Sequence, residues 1–372
     1  MLKLLTANDG GPISFTWHSG LYGGQKVDAL LLILEIPLLE ALEPFHKFLA
    51  HFRLCPYCEV EGRMRLSFRL LLAVLIFAVF VLPGRAQSGA PQLVAPGVWF
   101  LLGDASKGYS NNIVLEMKDY LIVVDANYPG RAQELLEEVK TLSSKPVRYV
   151  VLTHHHGDHA YGSALWTRAG AITIAHEDAA AEMKRFEPAR WQREMALRED
   201  VRVLGVQDLE RPKQIFSGER MVLEDATRRV ELLHYGWEHT RGDTYVWLPR
   251  ERILCTGDAA VNGPRNNLKD AWLANWPRML EKAEALQPRY VLPGHGAMGG
   301  AEILSGQRLF LADLFHAVQQ QLKSGRKTET INIILPVRDQ NWMPRNLSAD
   351  IECANREITH HMPAGAVEHS WH

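Results

Sequence analysis

Cysteine is scarce in this chain. Four in 372 positions are too few for the disulfide framework that staples small secreted domains. An excess of charge of either sign is also missing. Lys and Arg number 41 against 43 for Asp and Glu, a net charge of -2, so no overall field draws the molecule to nucleic acid or to an acidic membrane. Low-complexity and collagen-like tracts are absent, the 28 Gly and 19 Pro being ordinary for this length. What is present is a 47% hydrophobic fraction, enough for a sizeable core in one or two domains, together with 16 histidines.

The one long apolar run, Leu70 to Leu82, follows Arg63, Met64, Arg65 and Arg69 and precedes Pro83-Gly84-Arg85-Ala86-Gln87. It is shorter than the ~20 residues a helix needs to span a bilayer. The layout is that of an export signal, a basic start, an apolar middle and small residues at a cleavage site. Residues 64–87 therefore read as a signal peptide beginning at Met64, residues 1–63 as a poorly structured upstream extension, and the product as periplasmic or secreted. A membrane anchor is the alternative. Cys55-Pro-Tyr-Cys58 has the C-x-x-C form of redox or zinc sites, but it stands a short distance before the export stretch and reads as chance. Cys255 lies in an apolar run and reads as a buried thiol, a Cys255–Cys353 disulfide being the other option.

After residue 88 the patterning alternates. Val98–Leu102, Asn112–Glu116 and Tyr120–Val124 predict consecutive strands, and residues 130–142 an amphipathic helix stopped by Lys145-Pro146. Strands follow at 147–152 and 171–175, a charged helix at 177–198, strands at 221–223, 230–234, 244–248 and 252–256, a helix at 268–286, a short strand at 290–292 and a helix at 301–324. The order implies two sheets with helices outside. The segment beyond Gly325 shows no clear periodicity.

The strand at 147–152 runs into Thr153-His-His-His-Gly-Asp-His159, and the C-terminal ends of such strands are where α/β folds place their chemistry. Imidazole and carboxylate at this density suit a borderline divalent cation. His154 and His156 point the same way on extended backbone, whereas a turn at Gly157 swings Asp158 and His159 towards a second position. Two adjacent cations become feasible. Further polar groups close later strands, in Gly236-Trp-Glu-His239, Thr256-Gly-Asp258 and Pro293-Gly-His295.

The H-x-H-x-D-H loop, the later histidine, T-G-D and P-G-H together resemble the metallo-beta-lactamase superfamily over about residues 92–298. The resemblance implies an α/β fold, a four-layered αββα sandwich spanning 88–300, with a C-terminal helical extension and tail over 301–372. It assigns His154, His156 and His239 to one metal and Asp158, His159 and His295 to the second, with Asp258 bridging, Asp158 and Asp258 as the catalytic carboxylates and Asp125 buttressing the metal loop. Two Zn2+ are the expected cofactors, with iron or manganese as alternatives. Together they would supply an activated water and polarise a carbonyl or phosphoryl oxygen. His155 is not counted as a ligand. His234 and His316 read as packing or surface residues, and His360, His361, His369 and His372 as a solvated tail.

The implied activity is hydrolysis of a small-molecule ester, thioester, amide or phosphodiester, with no nucleic-acid partner and membrane contact only through the signal or anchor segment. Zinc β-lactamases of the best-known type carry cysteine at the place of Asp258 and lysine where Val261 stands. Asp258 is similar to the glyoxalase II type and its relatives, yet Ala259–Arg265 does not match the glyoxalase segment. Arg265, Asn266 and Asn267 are candidates for binding an anionic substrate group. A class B β-lactamase is the alternative enzyme, and a non-hydrolytic diiron redox protein the alternative from another class.

Overall fold

The computed structural model of the protein describes residues 90–202, 209–264, 267–327, 330–344 and 346–363. The expected extension 1–63, the signal segment 64–87, Cys55, Cys58, Arg265, Asn266, His369 and His372 lie outside the described residues. Among the described residues no helix is long and apolar enough to cross a membrane.

Two sheets stack face to face. The first has seven strands in sequence order: β1 (Gln92–Ala95), β2 (Val98–Leu101), β3 (Asn112–Glu116), β4 (Leu121–Val124), β5 (Val147–Val151), β6 (Ile172–His176) and β7 (Gln214–Phe216). Its first four strands pair antiparallel as a meander, and β4 to β7 pair parallel. The second sheet holds β8 (Arg220–Glu224), β9 (Arg229–Leu233), β10 (Tyr245–Leu248), β11 (Ile253–Gly257) and β12 (Tyr290–Pro293). Its order is β12-β11-β10-β9-β8, antiparallel except for the parallel pair β11/β12.

Period-two alternation assigns the faces. Phe100, Ile113, Leu115, Ile122, Val124 and Val151 point between the sheets, where they meet Val230, Leu232, Val246, Leu248, Ile253 and Cys255. Leu101, Val114, Leu121, Val123, Val150 and Leu152 point outwards from the first sheet. Burial on both faces is why these strands read as unbroken apolar runs. That outer face is covered by α1 (Pro129–Leu142), the short α2 (Gly157–Ala160), α3 (Ser163–Arg168) and α4 (Glu177–Leu197), followed by α5 (Glu199–Arg202). The outer face of the second sheet is covered by α6 (Trp276–Ala285), α7 (Glu302–Lys323) and α8 (Ser348–His360), which share one cluster with Tyr245, Leu254 and Val291. The result is the αββα sandwich, with helices continuing from its outer layer into the C-terminal part.

Beyond the short elements β1, β7, α2, α3 and α5, for which the sequence reading had no counterpart, two regions depart from expectation. The helix expected from 268 begins only at Trp276, with Pro277 inside its first turn. Proline lacks the N–H that an interior position needs, so it starts this helix rather than continuing one, and Leu268–Asn275 form turns instead. The segment without evident periodicity contains α8, whose buried positions are Asp350, Ile351, Cys353, Ala354 and Glu357. Three of those five are charged or small, which hides the apolar stripe. Cys255 and Cys353 are both free and buried.

Candidate metal centre

Parallel strands and the β9–β10 connection deliver their ends to one edge of the sandwich. Residues 153–159 leave β5, Asp125 follows β4, the loop to His239 leaves β9, Asp258 follows β11 and His295 follows β12. His154, His156 and His239 form one group able to hold a metal ion, and Asp158, His159 and His295 form another. His239 Nε2 and His156 Nδ1 stand 3.1 Å apart, and His295 Nε2 stands 3.1 Å from Asp158 Oδ2. Ligands at ~2.0–2.1 Å in tetrahedral array are separated by roughly 3.3 Å, so this spacing fits a cation between them.

Asp258 stands between the two groups and clusters with one member of each, His154 and His159. Its Oδ2 lies 3.8 Å from His239 Nε2 and 3.5 Å from His295 Nε2, and its Oδ1 is 3.3 Å from His159 Nε2. Two glycines make room for it. A Cβ on Gly294 would fall 2.2 Å from Asp258 Oδ1, and one on Gly257, which has φ +51°, would fall 2.5 Å from Thr153 Oγ1. The glycines of T-G-D and P-G-H are therefore close-approach positions.

The second nitrogen of each loop histidine is fixed. Asp125 Oδ1 accepts from the Thr153 N–H at 2.8 Å, and its Oδ2 accepts from Thr153 Oγ1 at 3.0 Å and from His159 Nδ1 at 2.7 Å. The Thr153 hydroxyl, having donated to Asp125, accepts from His154 Nδ1 at 3.1 Å. Asp270 Oδ2 accepts from His156 Nε2 at 2.7 Å. The opposite nitrogens, His154 Nε2, His156 Nδ1 and His159 Nε2, are left with lone pairs towards the centre. His154 Nε2, His159 Nε2 and Asp258 Oδ1 are buried with no hydrogen-bond partner. Orphaned buried acceptors of this kind are costly in an ordinary core, and they suit a divalent cation.

Charge agrees with that fit. Burial, reinforced by neighbouring imidazoles, holds His154 well below the usual histidine range and His239 down to about 3; burial likewise lowers His156. Burial opposes charge on Asp158 and Asp258 too, but His159 and His295 beside them keep both carboxyls ionised. Burial would also depress His159, yet Asp258, Asp125 and Asp158 raise it. His154, His156 and His239 are thus neutral beside two ionised carboxylates, a donor set that borderline dications prefer, and the carboxylates that raise His159 would favour a cation at its Nε2 as they favour a proton.

Asp270 was absent from the sequence-derived set. Its carboxylate is gripped by Arg190 of α4 through Nη1 at 2.8 Å and Nη2 at 2.9 Å, and Arg190 also donates to Glu187, which accepts from the Tyr161 hydroxyl. No motif marks Asp270, because it sits in a turn well after Asp258 and its partner is a helix of the other layer. Ser110, Asn111 and Asn112 were missed as well. Asn111 Nδ2 donates to the carbonyls of Pro293 and Gly296, Asn112 Nδ2 to those of Val124 and Asp125, and Ser110 Oγ to that of Asp158. The only sequence signal was a polar run opening an apolar strand.

His155 is fully buried and faces Arg190, with its Nε2 3.4 Å from Nη1. Among the described residues His176, Asp178 and His234 also cluster, but the two rings are stacked at 3.8 Å and 15°. No cation can lie in the planes of two parallel rings at once. His316 is exposed beside Gln320. Over Asp158, Asp258 and His295 opens a cavity of about 590 Å³ walled by Tyr128, Tyr161, Arg190, Arg193, Asn267 and Lys269. Asn267 is thus the one described member of the expected anion-binding trio, and it faces this cavity.

The metallo-beta-lactamase superfamily model matches residues 105–295. A metallo-beta-lactamase type 2 of Bacillus sp. (strain 170) is 28% identical over 204 residues, covering 52% of this chain and 70% of that protein. The 2,4-dinitroanisole O-demethylase subunit alpha of Nocardioides sp. (strain JS1661) is 26% identical over 196 residues, covering 50% of this chain and 53% of its own length. The solved metallo-beta-lactamase from Pontibacter korlensis is 21% identical with a TM-score of 0.49, covering 60% of this chain and 98% of its own. With its family's motifs converging at one edge of an αββα sandwich, the chain belongs to the metallo-beta-lactamase superfamily of metal-dependent hydrolases.

Proposed function

We propose that the protein is an exported hydrolase that works with two divalent cations, zinc first, on an ester, thioester, amide or phosphodiester of a small molecule. The observation that carries this reading is the position of Asp258, whose one carboxylate lies within 3.8 Å of His239 and 3.5 Å of His295, members of different donor groups. A carboxylate shared in this way suits a pair of cations. His154, His156 and His239 would hold one, Asp158, His159 and His295 the other, and Asp258 both. Such a pair, when bound, would acidify water for attack and polarise the substrate's carbonyl or phosphoryl oxygen.

The chain's own groups do the rest. Asp158, with its side chain 16% exposed, is the donor-set carboxylate most open to the cavity, placed to accept a hydrogen bond from the attacking water and orient it. Tyr128 and Tyr161 give the cavity an aromatic wall, and Asn267, Lys269 and Arg193 a polar one suited to an anionic substrate group. Export rests on the basic-then-apolar pattern before residue 88. N-terminal sequencing of the native product tests that part, a start at Met1 counting against it.

A β-lactam substrate is the second reading, favoured by the relatives named metallo-beta-lactamase. Against it stand Asp258 and Val261 at the places where the best-known zinc β-lactamases carry cysteine and lysine. Hydrolysis of a chromogenic cephalosporin by the zinc-loaded protein discriminates, with a chelator and His156→Ala as controls. Chelator-sensitive turnover lost in the variant puts the β-lactam reading first. No cephalosporin turnover, with chelator-sensitive cleavage of a thioester or phosphodiester, supports the wider hydrolase reading. Turnover of any of these that survives both chelator and His156→Ala removes the mechanism.

A further inference from the structure

We propose that the C-terminal helix α8 is a working part of the metal centre, with Glu357 acting as a positioning residue that holds the turn carrying Asp270 against His156. The inference rests on the metal-centre reading above and extends it to a segment beyond the matched residues 105–295.

The turn between Leu268 and Trp276 is short, irregular and crowded with contacts to the centre. Asp270 Oδ2 accepts from His156 Nε2 at 2.7 Å. The Asp270 carbonyl accepts from Trp237 Nε1 at 2.7 Å, the Trp272 N–H donates to the Glu238 carbonyl at 2.9 Å, and Asn275 Nδ2 donates to the Trp237 carbonyl at 2.8 Å. Residues 237 and 238 immediately precede the metal-group residue His239. One turn thus abuts two members of the three-histidine group, one through a side chain and the other through the backbone beside it.

The turn's own backbone bonds run from the Ala271 N–H to the Leu268 carbonyl at 3.2 Å and from the Asn275 and Trp276 N–H groups to the Trp272 carbonyl at 3.1 and 2.9 Å, and none of them uses the N–H of Leu273 or Ala274. Irregular buried backbone leaves N–H groups without ladder partners, and here those of Leu273 and Ala274 are satisfied from outside. Glu357 of α8 accepts both, at 2.8 Å and 2.7 Å, through its two carboxylate oxygens. It is 5% exposed, so no solvent competes for the interaction. A bidentate carboxylate on two successive amides fixes position and orientation together.

The same C-terminal segment also grips the loop that follows Asp258. Trp342 Nε1 donates to the Val261 carbonyl at 2.8 Å, and Asn341 Nδ2 donates to Asn262 Oδ1 at 2.9 Å. Gln307 of α7 accepts from the Val261 N–H at 3.1 Å. The Trp342 ring packs on Gly306, where a Cβ would fall 2.0 Å from its edge. Between these two grips lie Asn267 and Lys269, which wall the cavity. A C-terminal segment serving only to cover the second sheet would need none of these polar contacts to the loop.

The test uses the full chain with Co2+ and Zn2+ as probes and needs no substrate. Glu357→Gln keeps the shape but offers one N–H group where an acceptor is required. Trp342→Phe keeps the ring on Gly306 and removes the bond to Val261. We expect Glu357→Gln to weaken binding of at least one equivalent about tenfold, at the low end of the ~10–100-fold seen when partners of metal ligands are lost, and to change the d–d band of the Co2+ protein. Trp342→Phe is expected to shift the same band with a smaller loss of affinity. Affinity and band equal to the parent in every variant that folds, even with a lowered Tm, would overturn the proposal and leave α8 a purely structural cover. Should Glu357→Gln not fold, Glu357→Asp, which keeps both acceptor oxygens but shortens their reach to the Leu273 and Ala274 N–H groups, takes its place. A parent protein that binds neither metal stoichiometrically would sink the metal-centre reading itself, and with it this inference.

Discussion

Replacing Asp270 by Asn tests the least expected contact of the centre. Asp270 Oδ2 lies 2.7 Å from His156 Nε2, and both its oxygens are held by Arg190 at 2.8 and 2.9 Å. Burial opposes its ionisation, but His155, His156 and Arg190 pull its carboxyl well below the usual range. Asn fills the same volume and keeps one acceptor oxygen, which can serve His156 or Arg190 but not both as before. Two losses follow. His156 is a weaker and less fixed donor, for which ~10–100-fold in cation affinity is typical, or about 1.4–2.7 kcal/mol at ~1.36 kcal/mol per decade. Arg190, whose side chain is 12% exposed, keeps Glu187 at 2.9 Å and loses its bidentate partner. Breaking a buried pair costs ~3–5 kcal/mol, and the surviving Glu187 contact puts the expected loss of stability near the low end, about 3 kcal/mol. Zinc competition with a chromophoric chelator measures the first loss, and denaturant unfolding of the metal-free protein the second. Zinc affinity indistinguishable from the parent, at whatever stability, would refute the claim that Asp270 positions His156.

Two further substitutions probe packing and charge elsewhere. Gly294→Ala sets a methyl group 2.2 Å from Asp258 Oδ1. Overpacking of this kind costs ~1–3 kcal/mol, and because the displaced atom belongs to the shared carboxylate, metal stoichiometry should fall as well. A variant that keeps both metals and the parent's Tm would contradict the close approach. Asp350 of α8 is 6% exposed, and burial pushes its carboxyl from 3.8 up to about 7. The native state therefore holds a proton that the unfolded chain releases between those values, so this group's contribution falls as pH rises through that window. At ~1.36 kcal/mol per unit the penalty above pH 7 reaches at most about 4 kcal/mol. Asp350→Asn should be more stable than the parent at pH 8, with the gain vanishing near pH 4. Denaturant unfolding at both pH values decides, and an equal gain at both would refute the assignment.

What could be read in advance follows from which interactions are local. The strands at 112–116, 121–124 and 147–151 were legible because each carries a run of adjacent apolar residues, buried on both faces throughout 121–124 and at the C-terminal end of 147–151. The histidines and aspartates that converge were legible as a cluster because each stands in a short motif at a strand end, where glycine is forced by crowding at Gly257 and Gly294. Asp270 and Glu357 were not. Each acts across a large sequence separation on a partner supplied by another layer, and a lone carboxylate in a polar turn or on a weakly amphipathic helix carries no local mark. The same reasoning explains α8, whose buried face spends two of its five positions on acids.

The division of the donors between the sheets says why the centre needs so much support. His154, His156, Asp158 and His159 come from the loop after β5 in the first sheet, whereas His239, Asp258 and His295 follow β9, β11 and β12 in the second. The interface between the sheets is apolar and close-packed, which resists separation but does little to fix sliding, because dispersion and hydrophobic contacts lack direction. Donor separations near 3.1–3.8 Å tolerate little sliding. Directional bonds that cross the seam supply the missing constraint: Asn111 on Pro293 and Gly296, Thr244 N–H on the Thr153 carbonyl at 2.8 Å, and Asp270 on His156. Asn111 and Thr244 stand one residue before β3 and β10, and Asp270 acts from a turn that Glu357 holds from behind. On this reasoning the outer helices help to fix the spacing of the cluster at a joint between two otherwise slippery surfaces.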